Sequence, residues 1–193
     1  MRDEIKSERL VLRKLRESDA GLLSKLAGDK EISRMTGTIP HPYPQISAEF
    51  FLMLNAQSYK RGLSYNYAIT HDGDDLMGVT GLFYRGNTSE IELGYWLGKL
   101  YWGHGYITEA CRALIEEGRR TLNLSHVHAG VFSDNPASLR VLEKLGFEFT
   151  GEDEMYFSMA RLEKARSINL RLDFEAQQRA TPLQSNLQLV MSA

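Results

Sequence analysis

The stretch Glu90–Thr121, EIELGYWLGKLYWGHGYITEACRALIEEGRRT, constrains this chain more than any other. Residues 90–97 read as a strand, and a loop carrying Trp102-Gly103-His104-Gly105-Tyr106 follows. Ile107, Ala110, Cys111, Leu114, Ile115 and Gly118 then fall at i, i+3, i+4, i+7, i+8 and i+11. That spacing is one apolar face of a 3.6-residue period and predicts a helix over 106–122. A strand feeding a glycine loop that opens a helix leaves the first backbone N–H groups unpartnered and aimed at one spot. The helix dipole adds partial positive charge there, so the spot favours an anion, most often a phosphate.

The rest of the chain builds a mixed sheet around this unit. Residues 1–9 read as a charged arm and Leu10–Arg13 as a first strand. Ser18-Asp19 offers an N-cap to a short amphipathic helix holding Leu22, Leu23 and Leu26. Gly37, Pro40, Pro42 and Pro44 oppose both helix and central strand, so 35–46 is expected to be a long ordered loop bordering a substrate site. Ser47 is expected to cap a helix to about Lys60 with Phe50, Leu54 and Gln57 inward. Two strands, 64–70 and 76–84, flank the hairpin signal His71-Asp72-Gly73-Asp74, and Gly86-Asn87-Thr88 turns into the strand at 90. His126–Phe132 alternates as a strand. Asn135-Pro136 is an N-cap with proline at N1, and Gly146 is a C′ glycine for the helix between them. Residues 147–159 and 167–174 read as a closing pair of strands. The order implies an α/β mixed sheet of about seven strands flanked by about four helices, one domain over 1–174. Residues 175–193 are read as a loose tail or as a docking segment.

Charge and cysteine content narrow the function. A net charge of −2 gives no bulk attraction to nucleic acid or an anionic membrane. The single cysteine, Cys111, excludes an intrachain disulfide and a cysteine-rich metal site. It lies on the apolar helix stripe, and that placement favours a buried structural thiol over an acyl carrier. His126 and His128 share one strand face but lack a third ligand in sequence, so no metal is expected. No targeting or membrane-length apolar segment is seen, and the expected compartment is the cytoplasm.

The run Gly94-Tyr95-Trp96-Leu97, Tyr101–Tyr106 and Glu109-Ala110, followed by Asn135-Pro136-Ala137-Ser138 and Leu145-Gly146-Phe147, resembles the GNAT superfamily of CoA-dependent N-acetyltransferases. Within it, the chain is similar to the branch that includes the Rim-type ribosomal-protein N-terminal acetyltransferases. The resemblance covers about residues 7–174. It implies that backbone amides of Trp102, Gly103, His104, Gly105, Tyr106 and Ile107 wrap the pyrophosphate of acetyl-CoA, a cosubstrate. It also implies that the strand 90–97 bulges near Gly94 and splays from 126–132, so that the pantetheine arm lies in the wedge. Two departures stand out. Leu100 replaces the usual glutamine or arginine of the loop, and Leu142 replaces the tyrosine that protonates the leaving thiolate in many members.

Amide formation from a thioester needs a neutral amine, a held oxyanion and a proton for the thiolate. An α-amine, with a reference pKa near ~7.7–8.0 against ~10.4 for lysine, is already partly neutral at pH 7, so a weak base suffices. Glu92, a carboxylate in a strand expected to be buried on both faces, is the candidate base. Glu90 on the same face is expected to end in solvent. Backbone N–H groups at Trp96 and Leu97 are the oxyanion and thioester contacts. Asn135 resembles the family asparagine that binds pantetheine, and Ser138 one turn on is a second contact and the candidate proton donor replacing the tyrosine. An asparagine before proline is equally an ordinary N-cap, and His104 equally a solvated loop side chain. The expected activity is direct acetyl transfer in a ternary complex to a primary amine, a protein N-terminal α-amine first. A small amine (polyamine, amino acid or aminoglycoside) and an inactive CoA-binding domain are the alternatives. Oligomeric state is left as monomer or homodimer.

Overall fold

The computed structural model of the protein describes residues 1–86 and 88–174. The expectations for Asn87 and for 175–193 lie outside the described residues. One eight-stranded sheet organises the chain, in the spatial order β1-β2-β3-β4-β5-β6-β8-β7. Its strands are β1 (Glu4–Lys6), β2 (Val11–Lys14), β3 (Ser64–Thr70), β4 (Gly78–Tyr84), β5 (Ile91–Leu97), β6 (His126–Phe132), β7 (Glu148–Ser158) and β8 (Glu163–Asp173). The helices among the described residues are α1 (Ala20–Ala27), α2 (Lys30–Ser33), α3 (Gln45–Lys60), α4 (Tyr106–Leu122) and α5 (Pro136–Leu145). One strand and one helix exceed the expected count. The added strand is β1, formed where a free arm is expected, and the added helix is the single turn α2.

Side-chain alternation sorts the sheet into two faces. Leu12, Tyr67, Ile69, Leu82, Leu93 and Val127 meet Ala110, Cys111, Leu114 and Ile115 of α4 on one face. Ala68, Val79 and Trp96 meet Ala20, Leu23, Ala48 and Leu52 of α1 and α3 on the other. Helix α4 lies so close to β4 that a Cβ on Gly118 would collide with Leu82. Burial pushes the Cys111 thiol up to about 12, and its sulfur touches Thr80 Oγ1 at 3.4 Å. It is a core residue, far too weak an acid to act as a nucleophile at neutral pH.

Three local expectations are corrected. Helix α3 starts at Gln45 behind Pro44, which lacks a side-chain cap, so Ser47 is not the cap. Its inward residues are Ala48, Leu52 and Asn55, whereas Phe50 and Leu54 are exposed. Asp19 does not cap α1 with its side chain. It is held by a buried, bidentate ion pair with Arg13 at 2.8 and 2.9 Å. Arg13 also donates to the carbonyls of Gly73 and Asp74, so the pair pins the β3–β4 turn to β2. The strand β5 runs beside β4 from Ile91 to Leu97 without a register shift, so the expected bulge at Gly94 is absent. What excludes a side chain at Gly94 is the Phe83 ring, which a Cβ would strike at 2.8 Å. No helix among the described residues is long and apolar enough to cross a membrane.

The N-terminal segment is tied down by Glu117, whose side chain is fully buried in α4. It accepts from the Arg2 backbone N–H at 3.1 Å and from Arg2 Nη2 at 2.7 Å, and it pairs with Arg120. Burial alone would raise its pKa, but the hydrogen bonds from Arg2 and Arg120 and the Arg2 charge win and bring it to about 2. A depressed carboxylate contributes stability above its ordinary value and loses it as pH falls through the folded value. Melting temperature is therefore expected to drop between pH 4.5 and about 2 more steeply in the native protein than in Glu117→Gln. At pH 7 that variant is expected to lose about 2 kcal/mol, less than a fully buried pair because both arginines reach solvent.

Candidate active site

Two adjoining features leave backbone groups without protein partners. The first is the entry to α4. Gly103 and Gly105 sit at φ of +80° and +78°, left-handed conformations that favour glycine. The first helical hydrogen bond runs from Glu109 N–H to the Gly105 carbonyl at 3.1 Å. No acceptor among the described residues meets the N–H groups of residues 103–108. Six unpartnered donors thus lie at the positive end of a 17-residue helix, a setting that favours an anion. Arg9 braces this loop from behind. It donates to the His104 carbonyl at 3.1 Å, pairs with Glu109 at 2.7 Å and lies 4.8 Å from the Tyr106 ring centre. Burial opposes the charge on Glu109, yet hydrogen bonds from Arg9 and Ser7 hold its pKa below the usual carboxylate range.

The second feature is the gap beside β5. Strands β5 and β6 pair in parallel at one position only, Glu92 with His128, and separate beyond it. Gly98 N–H donates to the Met77 carbonyl on the β4 side. By strand alternation the Leu97 and Tyr95 N–H groups point the other way, into the gap, whereas Trp96 faces β4. Of the two expected oxyanion donors, Leu97 is the one aimed at the opening. Trp102 Nε1 donates to the Leu97 carbonyl at 2.7 Å and fixes the loop against the strand end.

The gap has different chemistry on its two sides. On the α1/α3 side lies Glu92, whose side chain is 24% exposed. Burial raises its pKa, opposed by the charge of Arg85 at 3.7 Å and reinforced by Glu154. On the α4/α5 side the Tyr95 hydroxyl meets Ser138 Oγ at 2.8 Å and the Ser138 carbonyl at 3.2 Å. Burial raises the Tyr95 pKa, so it remains a protonated phenol. Asn135 Oδ1 accepts from Ser138 N–H at 3.1 Å as the α5 N-cap, which leaves its amide NH₂ for another partner. Leu142, 1% exposed, belongs to the core and has no proton to give.

One cavity of about 1500 Å³ joins these parts. It exceeds the ~300–1,000 Å³ of a typical small-ligand pocket and has room for two reactants. Glu92, Trp96, Leu97, Trp102, Gly103, Gly105, Tyr106, Ile107, Asn135 and Ser138 all line it. His104 does not line it: its ring is exposed and stacks on Tyr106, with centroids 5.4 Å apart. The outer half of the cavity is apolar. Ile46, Phe50, Met53 and Leu54 of α3 face Tyr156 and Met159 across it. The loop after α2 completes the wall, bordering the cavity as expected. It is fastened to the β7–β8 hairpin by Met159 N–H to the Gly37 carbonyl (3.0 Å) and Arg161 Nε to the Arg34 carbonyl (2.6 Å).

Sequence reasoning missed Arg9, the Tyr95–Ser138 hydroxyl pair, the Arg85–Glu154 pair beside Glu92, and the outward role of Phe50. Each depends on a partner distant in the chain. Strand parity alone signals Tyr95, the one polar tip among the inward residues 91, 93, 95 and 97.

Comparison with known proteins places this geometry in a family. The profile of the acetyltransferase (GNAT) domain matches residues 9–148. The N-acetyltransferase p20 of Bacillus licheniformis is 30% identical over 146 residues, 75% of this chain and 82% of that protein. The ribosomal protein uS5-alanine N-acetyltransferase of Escherichia coli is 27% identical over 157 residues, 78% and 80% of the two chains. Among solved structures, RimL, a ribosomal L7/L12 α-N-protein acetyltransferase in complex with coenzyme A, superposes with a TM-score of 0.77. It is 20% identical and covered over 99% of its chain, against 90% of this one. The chain belongs to the GNAT family of N-acetyltransferases, and use of acetyl-CoA is implied by that membership.

Because both loop glycines need left-handed backbone, at ~1–2 kcal/mol for an L-residue, Gly103→Ala or Gly105→Ala is expected to weaken coenzyme A about tenfold. Calorimetric titration with coenzyme A measures this directly.

Proposed function

We propose that the protein transfers acetyl from acetyl-CoA to the α-amine of a protein N-terminus, by direct attack within a ternary complex in the cytoplasm. The observation that carries this reading is the set of unpartnered N–H groups at 103–108 opening into the same cavity as Glu92. Those amides hold the diphosphate, and the edge of β5 that β6 has left takes up the pantetheine as an added strand would.

The two sides of the gap divide the chemistry. Glu92, with its raised pKa, takes a proton from the incoming ammonium on the α1/α3 side, directly or through water. The Leu97 N–H donates to the oxygen that gains negative charge. On the opposite side Tyr95 donates to Ser138 Oγ, so that as the serine proton passes to the departing thiolate the phenol proton passes to the serine, and the phenol recovers a proton from solvent. A single hydrogen-bonded pair thereby stands in for the tyrosine that Leu142 replaces.

A peptide fits the outer cavity better than a polyamine. Most of the carboxylates that line it are paired with cations, Glu92 and Glu154 with Arg85, Asp134 with Arg34 and Arg161, and Glu31 with Lys99, while Glu49 accepts from Gln45. The remaining wall is an open apolar groove able to take side chains that follow an N-terminal residue. The uS5-alanine enzyme among the relatives supports the same acceptor class.

A panel of N-terminal peptides and small amines, assayed for free thiol release from acetyl-CoA, tests the proposal. Peptides are expected to turn over and polyamines not; coenzyme A binding without any turnover would overturn it. Glu92→Gln is expected to lower kcat/KM by ~10²–10⁴, and Ser138→Ala to lower kcat with little change in peptide KM. A raised carboxylate pKa means that the ionised form is the disfavoured one in the fold. Activity is therefore expected to fall with acid at a pH above the ordinary 4.5 of a glutamate, and Glu92→Gln to melt no lower than the native protein.

A further inference from the structure

Glu90, His126 and His128 come together on the sheet face that α1 and α3 leave uncovered. Glu90 lies just before β5, and the two histidines sit on β6 at alternate positions pointing the same way. One ligand atom from each lies within 4.8 Å of the other two. The closest approaches are Glu90 Oε2 to His128 Nε2 at 2.9 Å and Glu90 Oε1 to His126 Nε2 at 4.0 Å. Glu90 is part-exposed near the strand start, as expected, but it is also the third ligand that the sequence reading of the two histidines lacked.

Three observations distinguish this cluster from an ordinary surface ion pair. His128 Nε2 is buried yet makes no hydrogen bond among the described residues, because the nearby carboxylate is out of line. A ring nitrogen and a carboxylate oxygen 2.9 Å apart, with no proton in line between them, are a contact that a cation ligated by both would satisfy. His126 Nδ1 contacts Ser125 Oγ at 2.9 Å. With that nitrogen donating, Nε2 is the unprotonated one, turned to Glu90, an orientation typical of metal-bound imidazole. The neighbouring cations are engaged elsewhere: Arg171 with Asp173 at 2.6 Å, and Arg85 with Glu154 at 2.6 Å.

We propose that Glu90, His126 and His128 form a binding site for a divalent transition-metal ion of the zinc class. Two imidazole nitrogens and one carboxylate suit Zn²⁺, which takes three protein ligands and leaves one position for water. An ion ~2.0–2.2 Å from each donor in tetrahedral geometry sets donors about 3.4 Å apart. The observed separations bracket that value, so side-chain rotation alone closes the site. The ligands straddle β5 and β6 beside their single shared pair, Glu92 with His128. A bound ion clips the closed end of the gap, where the two strands otherwise touch once.

The test uses tag-free full-length protein stripped with chelator and titrated with ZnCl₂ by calorimetry, with melting followed in parallel. One ion per chain and a higher melting temperature are expected. His128→Ala, His126→Gln and Glu90→Gln are each expected to weaken binding at least about tenfold, the loss that even an outer-shell change produces. His41→Ala, an exposed imidazole elsewhere, is expected to bind zinc as the native protein does. Zinc binding unchanged in the His126 and Glu90 variants, or none at millimolar zinc, would overturn the proposal. Circular dichroism of each variant separates loss of a ligand from loss of the fold.

Discussion

Every buried N–H and C=O needs a partner, and in this fold the β5–β6 contact supplies almost none. Two parallel strands meet at Glu92 and His128 and then part, although both carry β-forming residues onward to Leu97 and Phe132. Unpaired strand edge and unpaired helix N-terminus thus fall in one place, and the fold stores hydrogen-bonding capacity where a linear molecule with a diphosphate can take it up. The glycines at 103 and 105 and the Arg9–Glu109 brace keep the donors pointed at that place rather than at each other.

The two faces of β5 give this slot its direction. Residues of one parity, Glu92 among them, look toward α1 and α3, and those of the other, Tyr95 among them, look toward α5. Under the proposed mechanism, proton acceptance and proton donation are separated by the thickness of one strand. A single side chain need not then serve both roles, and Ser138 with its hydrogen-bonded phenol takes the place of the tyrosine that Leu142 replaces.

Much of this was legible in the sequence, for a definable reason. The stripe at 107, 110, 111, 114, 115 and 118 marked α4, and alternation marked β6, because local periodicity reports burial directly. What escaped notice involves polar groups whose partners lie far along the chain. Glu117 sits beside an apolar stripe and reads as a solvated residue until Arg2 folds back onto it. Asp19 has the identity of a cap, but its buried arginine partner outcompetes that role. In α3 the large apolar residues Phe50 and Leu54 face the cavity and small Ala48 packs inward, the reverse of what hydrophobicity suggests. The third partner of the two histidines appears only once the register of β5 against β6 is known.

The wall opposite α3 is assembled from two segments more than a hundred residues apart. Gly37 presses so closely on the Tyr156 ring that a methyl group has no room between them, and Arg161 reaches back to Arg34 while also binding Asp134. With the acceptor seated against this wall as proposed, its preference is not stored in one exchangeable loop. A change of substrate, in nature or by engineering, calls for matched alterations in the proline-rich loop and in the last hairpin. Transplanting either half from a relative leaves the other half shaped for the former guest.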